Sequence, residues 1–459
     1  MIFDHNASKL FIPASNLKII TSACALKTLG PRYRFHTDFL TSSKMRLGGV
    51  LDGDLIIRGF GDPTLADLAS LRLWKSVPDD DKAYALPHGI ETPLESIVKK
   101  LWSLGLREIS GDIVIDDSYF RDERVANGWT MDDEPWFYAS QTGAVSLNEN
   151  IITVTVSPGE TRGDKAIVNL SPPTSYVKVL NSTTSGASTL LSLAFTRRRA
   201  QNEIIVSGNL PRKHKPVIKF MTVEDPGLYF GHVLRYTLRN SGIRVTGSVE
   251  RRQSADHAHL ILRNRSVPLS RIVYYMNKTS DNFYAEQLLK TIGAVVKKQG
   301  SWNSGLKAEK NILANLGTKG PYRLADGSGL SRYNLVTPRL LTTVLRAMRK
   351  NSVFVNSLPI AGRDTGYGTL AKRMKATPAA RNLRAKTGTF EGVSTLSGYV
   401  KSRDQRLVVF SIMTNASVGN LARERALQDG IGIALASNSV KQLSLALHDK
   451  MRTLTLDQS

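Results

Sequence analysis

Cysteine is almost absent from this chain. Its single thiol, Cys24, rules out an internal disulfide framework and any cysteine-rich metal site, and its setting in Thr21-Ser22-Ala23-Cys24-Ala25-Leu26 is that of a small core residue. Long apolar runs are also missing. No stretch reaches the roughly 18 residues that a membrane-spanning helix needs. The eight histidines form no His-Glu-x-x-His pair, and the lone His257-x-His259 reads as alternation on a strand face. There is no zinc-finger spacing and no RNA-recognition signature, so nucleic acid is not expected as a partner. No metal and no cofactor is implied. The amino terminus, Met1-Ile2-Phe3-Asp4-His5-Asn6, has neither a basic nor an apolar segment of the secretory kind. Internal repeats and low-complexity tracts are absent as well.

What is present is a 459-residue chain with 41% hydrophobic and 22% charged residues, too long for one ordinary core and suited to two or three domains. Its formal net charge is +23. The densest basic clusters are Arg197-Arg198-Arg199 and Arg212-Lys213-His214-Lys215. A solvated basic surface accounts for them, and peripheral contact with an anionic cell envelope would suit them too.

Apolar periodicity predicts a helix from about 16 to 29, stopped by Gly30-Pro31, which places Ser15 at its start. Strand-like runs follow at 49–57 and 112–116. From about 140 to 260 short β-branched runs dominate, such as 151–156 and 203–206, together with an amphipathic helix over 224–242. Beyond 268 helices return at 269–280, 282–299 and 337–350. A strand pair, 394–400 and 406–412, precedes a last helix near 419–436. The fold class is thus mixed α/β, with the middle third inserted between two parts of one domain.

Three short motifs carry the chemistry: Ser15-Asn16-Leu17-Lys18, Ser280-Asp281-Asn282 and Lys386-Thr387-Gly388-Thr389. Helix positions i and i+3 share a face, so Lys18 can reach the Ser15 hydroxyl. A serine needs a neighbouring base to become nucleophilic, and lysine can be one if burial and nearby cations hold it neutral. Ser280 offers a second hydroxyl for proton relay, and Asn282 an amide to hold a peptide backbone. The third motif reads as the end of an edge strand. Alternation would aim Lys386 and Gly388 to one side and Thr387 and Thr389 to the other, with twist and bulging able to change this. Backbone N–H groups of Ser15 and Thr389 could form an oxyanion hole. Each motif alone is weak, and a second S-x-x-K, Ser304-Gly305-Leu306-Lys307, is read as chance because its glycine should interrupt the helix. The three together, in this order, are specific.

These residues resemble the serine penicillin-binding proteins and β-lactamases, and within them the class C low-molecular-mass D-Ala-D-Ala carboxypeptidase/endopeptidases. The resemblance covers nearly the whole chain. It includes Phe11-Ile12-Pro13-Ala14 before Ser15, Gly61-Asp62-Pro63-Thr64, Asp116-Asp117-Ser118-Tyr119-Phe120, Gly128-Trp129, and Asp326-Gly327-Ser328-Gly329-Leu330-Ser331-Arg332. The long stretch 19–279 between the first two motifs marks this family rather than a simple β-lactamase.

The resemblance implies a transpeptidase-like domain, an antiparallel sheet flanked by helices, at 1–38 and 260–459. It implies an inserted second domain at 39–75 and 148–259, and a third nested at 76–147. It gives Ser15 as nucleophile, Lys18 as base, Ser280 as proton relay, Asn282 as substrate holder and Lys386 as electrostatic partner. Thr387, Gly388 and Thr389 would bind the substrate, with Arg332, Glu391 and Asp133 as further contacts to a diamino-acid stem peptide. Peptidoglycan stem peptides are the implied substrate, β-lactams the implied covalent inhibitors, and the periplasm or cell envelope the implied location. Family members carry a secretion signal and a strand hairpin before the nucleophile. Here Ser15 is reached almost at once, and Phe3-Asp4-His5-Asn6-Ala7 reads as the tail of that hairpin, so an amino-terminal truncation is expected.

Two rival readings remain. A class A β-lactamase would need a glutamate in a Glu-x-x-x-Asn arrangement between the second and third motifs, and none of Glu286, Glu309, Asp326 and Asp364 sits in one. A catalytically inactive peptidoglycan-binding scaffold would have no chemical need for the serine–lysine set.

Overall fold

In the computed structural model of the chain, residues 2–65, 92–254, 258–363 and 368–443 are described. His257, Asp364 and the part of the expected inserted domains between 66 and 91 lie outside them. The protein is mixed α/β, as its sequence pattern predicts.

The helix Lys18–Thr28 follows a 3-10 turn at Ala14–Leu17. Every residue from Lys18 to Leu26 is buried, Cys24 included. A helix buried on all sides has little amphipathic contrast and must be enclosed by other elements. Here the enclosing helices are Leu269–Thr279, Asn282–Lys297, Trp302–Asn315, Pro338–Met348 and Ser352–Ser357. Leu26, Ile272, Leu288, Val344 and Phe354 belong to the core they share.

Beside this bundle lies a three-stranded antiparallel sheet of Arg384–Phe390, Val393–Lys401 and Leu407–Thr414, with the second strand central. Phe390 pairs with Val393, so Glu391-Gly392 is a two-residue turn, and Gly392 holds φ +72° there. The central strand is buried from Val393 to Val400 because helices cover both faces. Ala422–Ser437 packs on it, as do the Ala14–Leu17 turn and Pro338–Met348. Residues 2–8 form no strand. Ile2 and Phe3 pack with Ile412 and Ile431, and Asp4 pairs with Arg339.

The intervening chain builds a five-stranded sheet in the order Val249–Arg251, Ile113–Asp116, Leu55–Gly59, His36–Thr41 and His259–Arg265. Two smaller sheets follow, one of Ile151–Ser157, Ile167–Ser171 and Val217–Thr222, the other of Lys178–Ser185, Ala194–Arg197 and Glu203–Leu210. Helices Pro93–Ser103 and Pro226–Asn240 bury Ile97, Leu101, Tyr229 and Leu234 in the same core as Ile57, Ile115, Val154 and Val206.

The predicted helices and strands appear within a few residues of their expected bounds, with two corrections. The run 49–57 is two strands, Val50–Leu51 and Leu55–Gly59, split by a turn at Gly53. The segment around Gly305 is not interrupted. It is the helix Trp302–Asn315, and a Cβ on Gly305 would sit 2.3 Å from the Leu289 carbonyl oxygen. The glycine lets two helix backbones approach closely rather than breaking one of them.

Candidate active site

The turn that carries Ser15 has an unusual backbone and is held by distant residues. Ala14, just before Ser15, has φ +45°, a conformation that costs a residue with a Cβ about 1–2 kcal/mol. The surroundings fix it. The Thr395 hydroxyl donates to the Pro13 carbonyl at 2.9 Å, and Asn16 Nδ2 donates to Ser397 Oγ at 2.8 Å. The turn is therefore bolted to the central strand of the sheet. One helical turn on, Lys18 Nζ donates to Ser15 Oγ at 3.0 Å, to Asn282 Oδ1 at 2.6 Å and to the Ser328 carbonyl at 2.8 Å.

The second motif is a helix junction. Ser280 ends the helix Leu269–Thr279 in the left-handed conformation, with φ +65°. Asp281 caps the next helix, its carboxylate accepting from Tyr284 N at 3.0 Å. Asn282 is that helix's first residue. Two helices meeting at a cap thus aim Ser280 and Asn282 from one corner. The third motif lies on the edge strand Arg384–Phe390. Lys386 is buried and donates to Ser280 Oγ at 2.7 Å. Gly388 is buried too, while Thr389 is exposed and Thr387 half-buried, donating to Thr369 Oγ1 at 2.8 Å. A Cβ on Gly388 would sit 2.8 Å from the Pro13 carbonyl oxygen and 3.0 Å from Ser15 N, so only glycine lets this strand lie against the Ser15 backbone.

Ser15, Lys18, Ser280, Asn282 and Lys386 therefore meet in one place. Burial lowers the Lys18 ammonium to about 8, against the opposing pull of Asp281, Asp326 and Glu286. Burial also pushes Lys386 well below the ordinary lysine value, and the Lys18 charge pushes it further. Two buried amines that feel each other's charge do not readily carry two protons at once: Lys386 gives up its proton first, and Lys18 follows at about 8.

Several residues that sequence spacing did not single out support this constellation. Glu286, one turn after Asn282, lies buried beneath Lys18. Its carboxylate accepts from Gly327 N at 2.9 Å, Ser328 N at 2.7 Å and Trp302 Nε1 at 2.7 Å. It thereby fixes the loop whose Ser328 carbonyl meets Lys18. Burial and the neighbouring Asp326 raise the Glu286 carboxyl to about 7. Asp326 accepts from Gly329 N, Ser331 N, Asn334 Nδ2 and Trp129 Nε1, so it knots the same loop and ties the inserted segment to it. From that segment, the Tyr138 carbonyl accepts from Asn282 Nδ2 at 2.7 Å. The signals were the i+4 spacing of Glu286 from Asn282 and the Gly-Ser-Gly run after Asp326, but neither names its partner.

The three further candidates lie outside the buried cluster. Arg332 is exposed, with its guanidinium 5.4 Å from the Phe390 ring, next to the exposed Glu391. Asp133 accepts from Thr130 Oγ1 at 2.6 Å and from Tyr138 OH at 3.0 Å, which connects it through Tyr138 to Asn282.

Glu309 is a third buried acid in this layer. Burial comes first, then Glu286 and Asp326, in raising it to about 8, and its Oε1 has no hydrogen-bond partner. A carboxyl raised on folding binds protons that the unfolded chain has released, so stability falls as pH rises from about 4.5 to 8. Glu309→Gln fixes the neutral form. It is expected to stabilise the protein by about 4 kcal/mol at pH 8, with the gain falling below about 1 kcal/mol near pH 5. Denaturant unfolding at the two pH values checks this, and an equal effect at both would contradict it.

A fold in which a serine hydroxyl and two buried lysines meet between a helical bundle and an edge strand is that of the penicillin-binding serine hydrolases. The chain belongs to the D-Ala-D-Ala carboxypeptidase 3 (S13) family, whose model matches residues 1–436. It is a serine-type D-Ala-D-Ala carboxypeptidase. It is 33% identical over 452 residues to a D-alanyl-D-alanine carboxypeptidase of Actinomadura sp. strain R39, covering 95% of this chain and 78% of that one. It is 29% identical over 436 residues to the D-alanyl-D-alanine carboxypeptidase DacB of Haemophilus influenzae, covering 92% of this chain and 84% of the relative. The crystal structure of penicillin binding protein 4 (dacB) from H. influenzae superposes with a TM-score of 0.77 at 26% identity, over 99% of this chain and 93% of that one. A second structure of that protein, with a bound β-lactam, gives a TM-score of 0.71 at 26% identity, again over 99% and 93%.

Proposed function

We propose that the enzyme works through an acyl-enzyme on Ser15, trims peptidoglycan stem peptides, cleaves D-alanyl cross-links, and is acylated by β-lactams. The observation that carries this reading is the pairing of each hydroxyl with its own buried amine, Ser15 with Lys18 at 3.0 Å and Ser280 with Lys386 at 2.7 Å. Neutral Lys18 takes the Ser15 proton as Oγ attacks the carbonyl carbon of the penultimate D-alanine. The oxyanion forms against the backbone of Ser15 and the Gly388–Thr389 strand, where positioned N–H donors stabilise it. As the C–N bond breaks, the leaving amine takes a proton through Ser280, whose hydroxyl Lys386 holds. Water then attacks the ester carbonyl carbon and gives a proton to Lys18, the C–Oγ bond breaks, and Lys18 returns that proton to Ser15 Oγ.

Asn282 is fixed on both sides, by Lys18 Nζ and the Tyr138 carbonyl, so its place beside the substrate backbone is set in advance. Thr387 and Thr389 take the terminal carboxylate, and Gly388 keeps the strand close to Ser15. Arg332 and Glu391 flank the same strand end, and Asp133 lies on the inserted segment, bonded to the Tyr138 hydroxyl. They contact the remote part of the stem peptide, where a carboxylate and an amine are opposite in charge to Arg332 and to the two acids. We also infer the three-part division of the chain, with the catalytic halves at 1–38 and 260–459. The five-stranded sheet crosses its borders, joining His36–Thr41 to His259–Arg265 and Leu55–Gly59 to Ile113–Asp116. The substrate places the working enzyme in the periplasm or cell envelope.

The test is digestion of purified cross-linked muropeptides followed by mass analysis, with fluorescent penicillin labelling alongside. Loss of terminal D-alanine, conversion of dimers to monomers and one stable label per chain are expected. Rapid multiple turnover of nitrocefin would instead make the protein a β-lactamase, and dimers left intact would remove the endopeptidase part.

A further inference from the structure

The inserted strands have a near end and a far end relative to the catalytic cleft. At the near end Met221 bridges to Trp136, Thr222 N donates to the Pro135 carbonyl, and Asn202 Nδ2 donates to the Glu224 carbonyl. This is the wall segment that reaches Asn282 through Tyr138. The strand Ile151–Ser157 leaves that end and runs seven residues, about 20 Å at roughly 3.3 Å per residue. Glu203–Leu210 runs the same course, in parallel with Lys178–Ser185.

Three loops meet at the far end. Ser185 N donates to the Asp164 carbonyl at 2.6 Å, Gly186 N to the Leu210 carbonyl at 2.9 Å, and Ser192 N to the Asn209 carbonyl at 3.0 Å. Arg212 Nη2 reaches the Glu160 carbonyl at 2.8 Å. Loops 158–166, 186–192 and 211–216 therefore form one tip. It exposes Arg162, Lys165, Arg212, Lys213 and Lys215 against two carboxylates, Glu160 and Asp164. The same tip exposes Leu190 at 74% and Leu191 at 48%, with Asn209 Nδ2 pinning the Leu190 carbonyl at 2.7 Å. The leucine pair is thus held outward by a fixed backbone rather than left in a slack loop.

We propose that this tip is a docking surface for an anionic phospholipid bilayer. Cations near such a surface are drawn to its negative potential. Leucines held outward among them can enter the boundary between headgroups and acyl chains. A hydrated polyanion would use the cations but gain nothing from the leucines, and that difference decides between the two. Docking through the far end leaves the cleft about 20 Å away, on the wall side of the strands, open to substrate.

The full chain is sedimented with vesicles of phosphatidylcholine alone and of phosphatidylcholine with an equal part of phosphatidylglycerol. Binding is expected only to the second, and is expected to weaken as salt rises. The side chains of Arg162, Lys213 and Lys215 have no hydrogen bond or ion pair among the described residues, and the one bond at Lys215 is to its backbone carbonyl, so their joint replacement by serine leaves the fold intact. It should lower partitioning about a hundredfold, at roughly fivefold per charge, with D-alanine release unchanged. Leu190→Ser with Leu191→Ser should also lower it, by about tenfold or more. A matched triple on the catalytic domain, Lys298, Lys307 and Lys310 to serine, should lower it several-fold at most. Equal loss from the matched triple would mean that net charge alone binds, and would overturn the proposal. So would an unchanged leucine variant, which would point to a soluble polyanion, or equal binding to neutral vesicles.

Discussion

Ser15→Ala is expected to lower D-alanine release by roughly 10⁶-fold, the scale of loss when the nucleophile of a serine hydrolase is removed. The same change should erase labelling by fluorescent penicillin. Both effects should come without loss of fold. Among the described residues the Ser15 side chain makes one hydrogen bond, from Lys18 Nζ at 3.0 Å, whereas Lys18 keeps Asn282 and the Ser328 carbonyl as partners. Removing it should cost about 1 kcal/mol of stability. The turn that carries position 15 is fixed by Pro13 and Asn16 through Thr395 and Ser397, neither of which the substitution touches. A label that persisted on the alanine variant would reassign the nucleophile, with Ser280 the first alternative because it has its own amine partner.

The site was legible where chemistry and chain order coincide. Ser15 and Lys18 are three residues apart on a helix start, and that spacing alone predicts contact. Ser280 and Lys386 are 106 residues apart, and nothing in either motif fixes their 2.7 Å hydrogen bond. Only the resemblance brought them together. The buried layer beneath the site was illegible for a different reason. Glu286 and Glu309 look in sequence like helical surface residues, and only tertiary packing buries them, Glu286 against the backbone N–H groups of Gly327 and Ser328 and Glu309 close enough to Glu286 and Asp326 to feel their charge. Gly305 shows the reverse failure. Local propensity reads it as a helix breaker, yet the close approach of the helix Asn282–Lys297 makes glycine the residue that fits. The inserted segment was least legible of all, because its grip on the site runs through the Tyr138 carbonyl and the Trp129 indole. One of these is backbone and the other a lone aromatic.

Lys18→Met should slow acylation by penicillin by about 10²- to 10⁴-fold, the range assigned to a positioned general base. The more telling result is the pH profile. Burial puts the Lys18 ammonium at about 8, and only the neutral amine can accept the Ser15 proton. In the wild-type enzyme the acylation rate should therefore climb as pH rises toward 8 and level off above it. Methionine cannot titrate, so the variant's residual rate should lose this rise. Lys386 complicates the profile in a predictable direction. The Lys18 charge helps hold Lys386 below the ordinary lysine range, so removing that charge lets Lys386 keep its proton to higher pH. It is then less able to stand in as base, which makes the loss deeper near neutrality and allows partial recovery only at more alkaline pH. A purely structural role for Lys18 predicts something else. Methionine leaves Asn282 Oδ1 and the Ser328 carbonyl without their donor, at about 1–3 kcal/mol each, which would lower stability without reshaping the pH dependence. Stopped-flow acylation across pH 6 to 10, read beside thermal unfolding of the same variant, separates the two. A slowed reaction that kept the wild-type rise would mean that another group removes the proton.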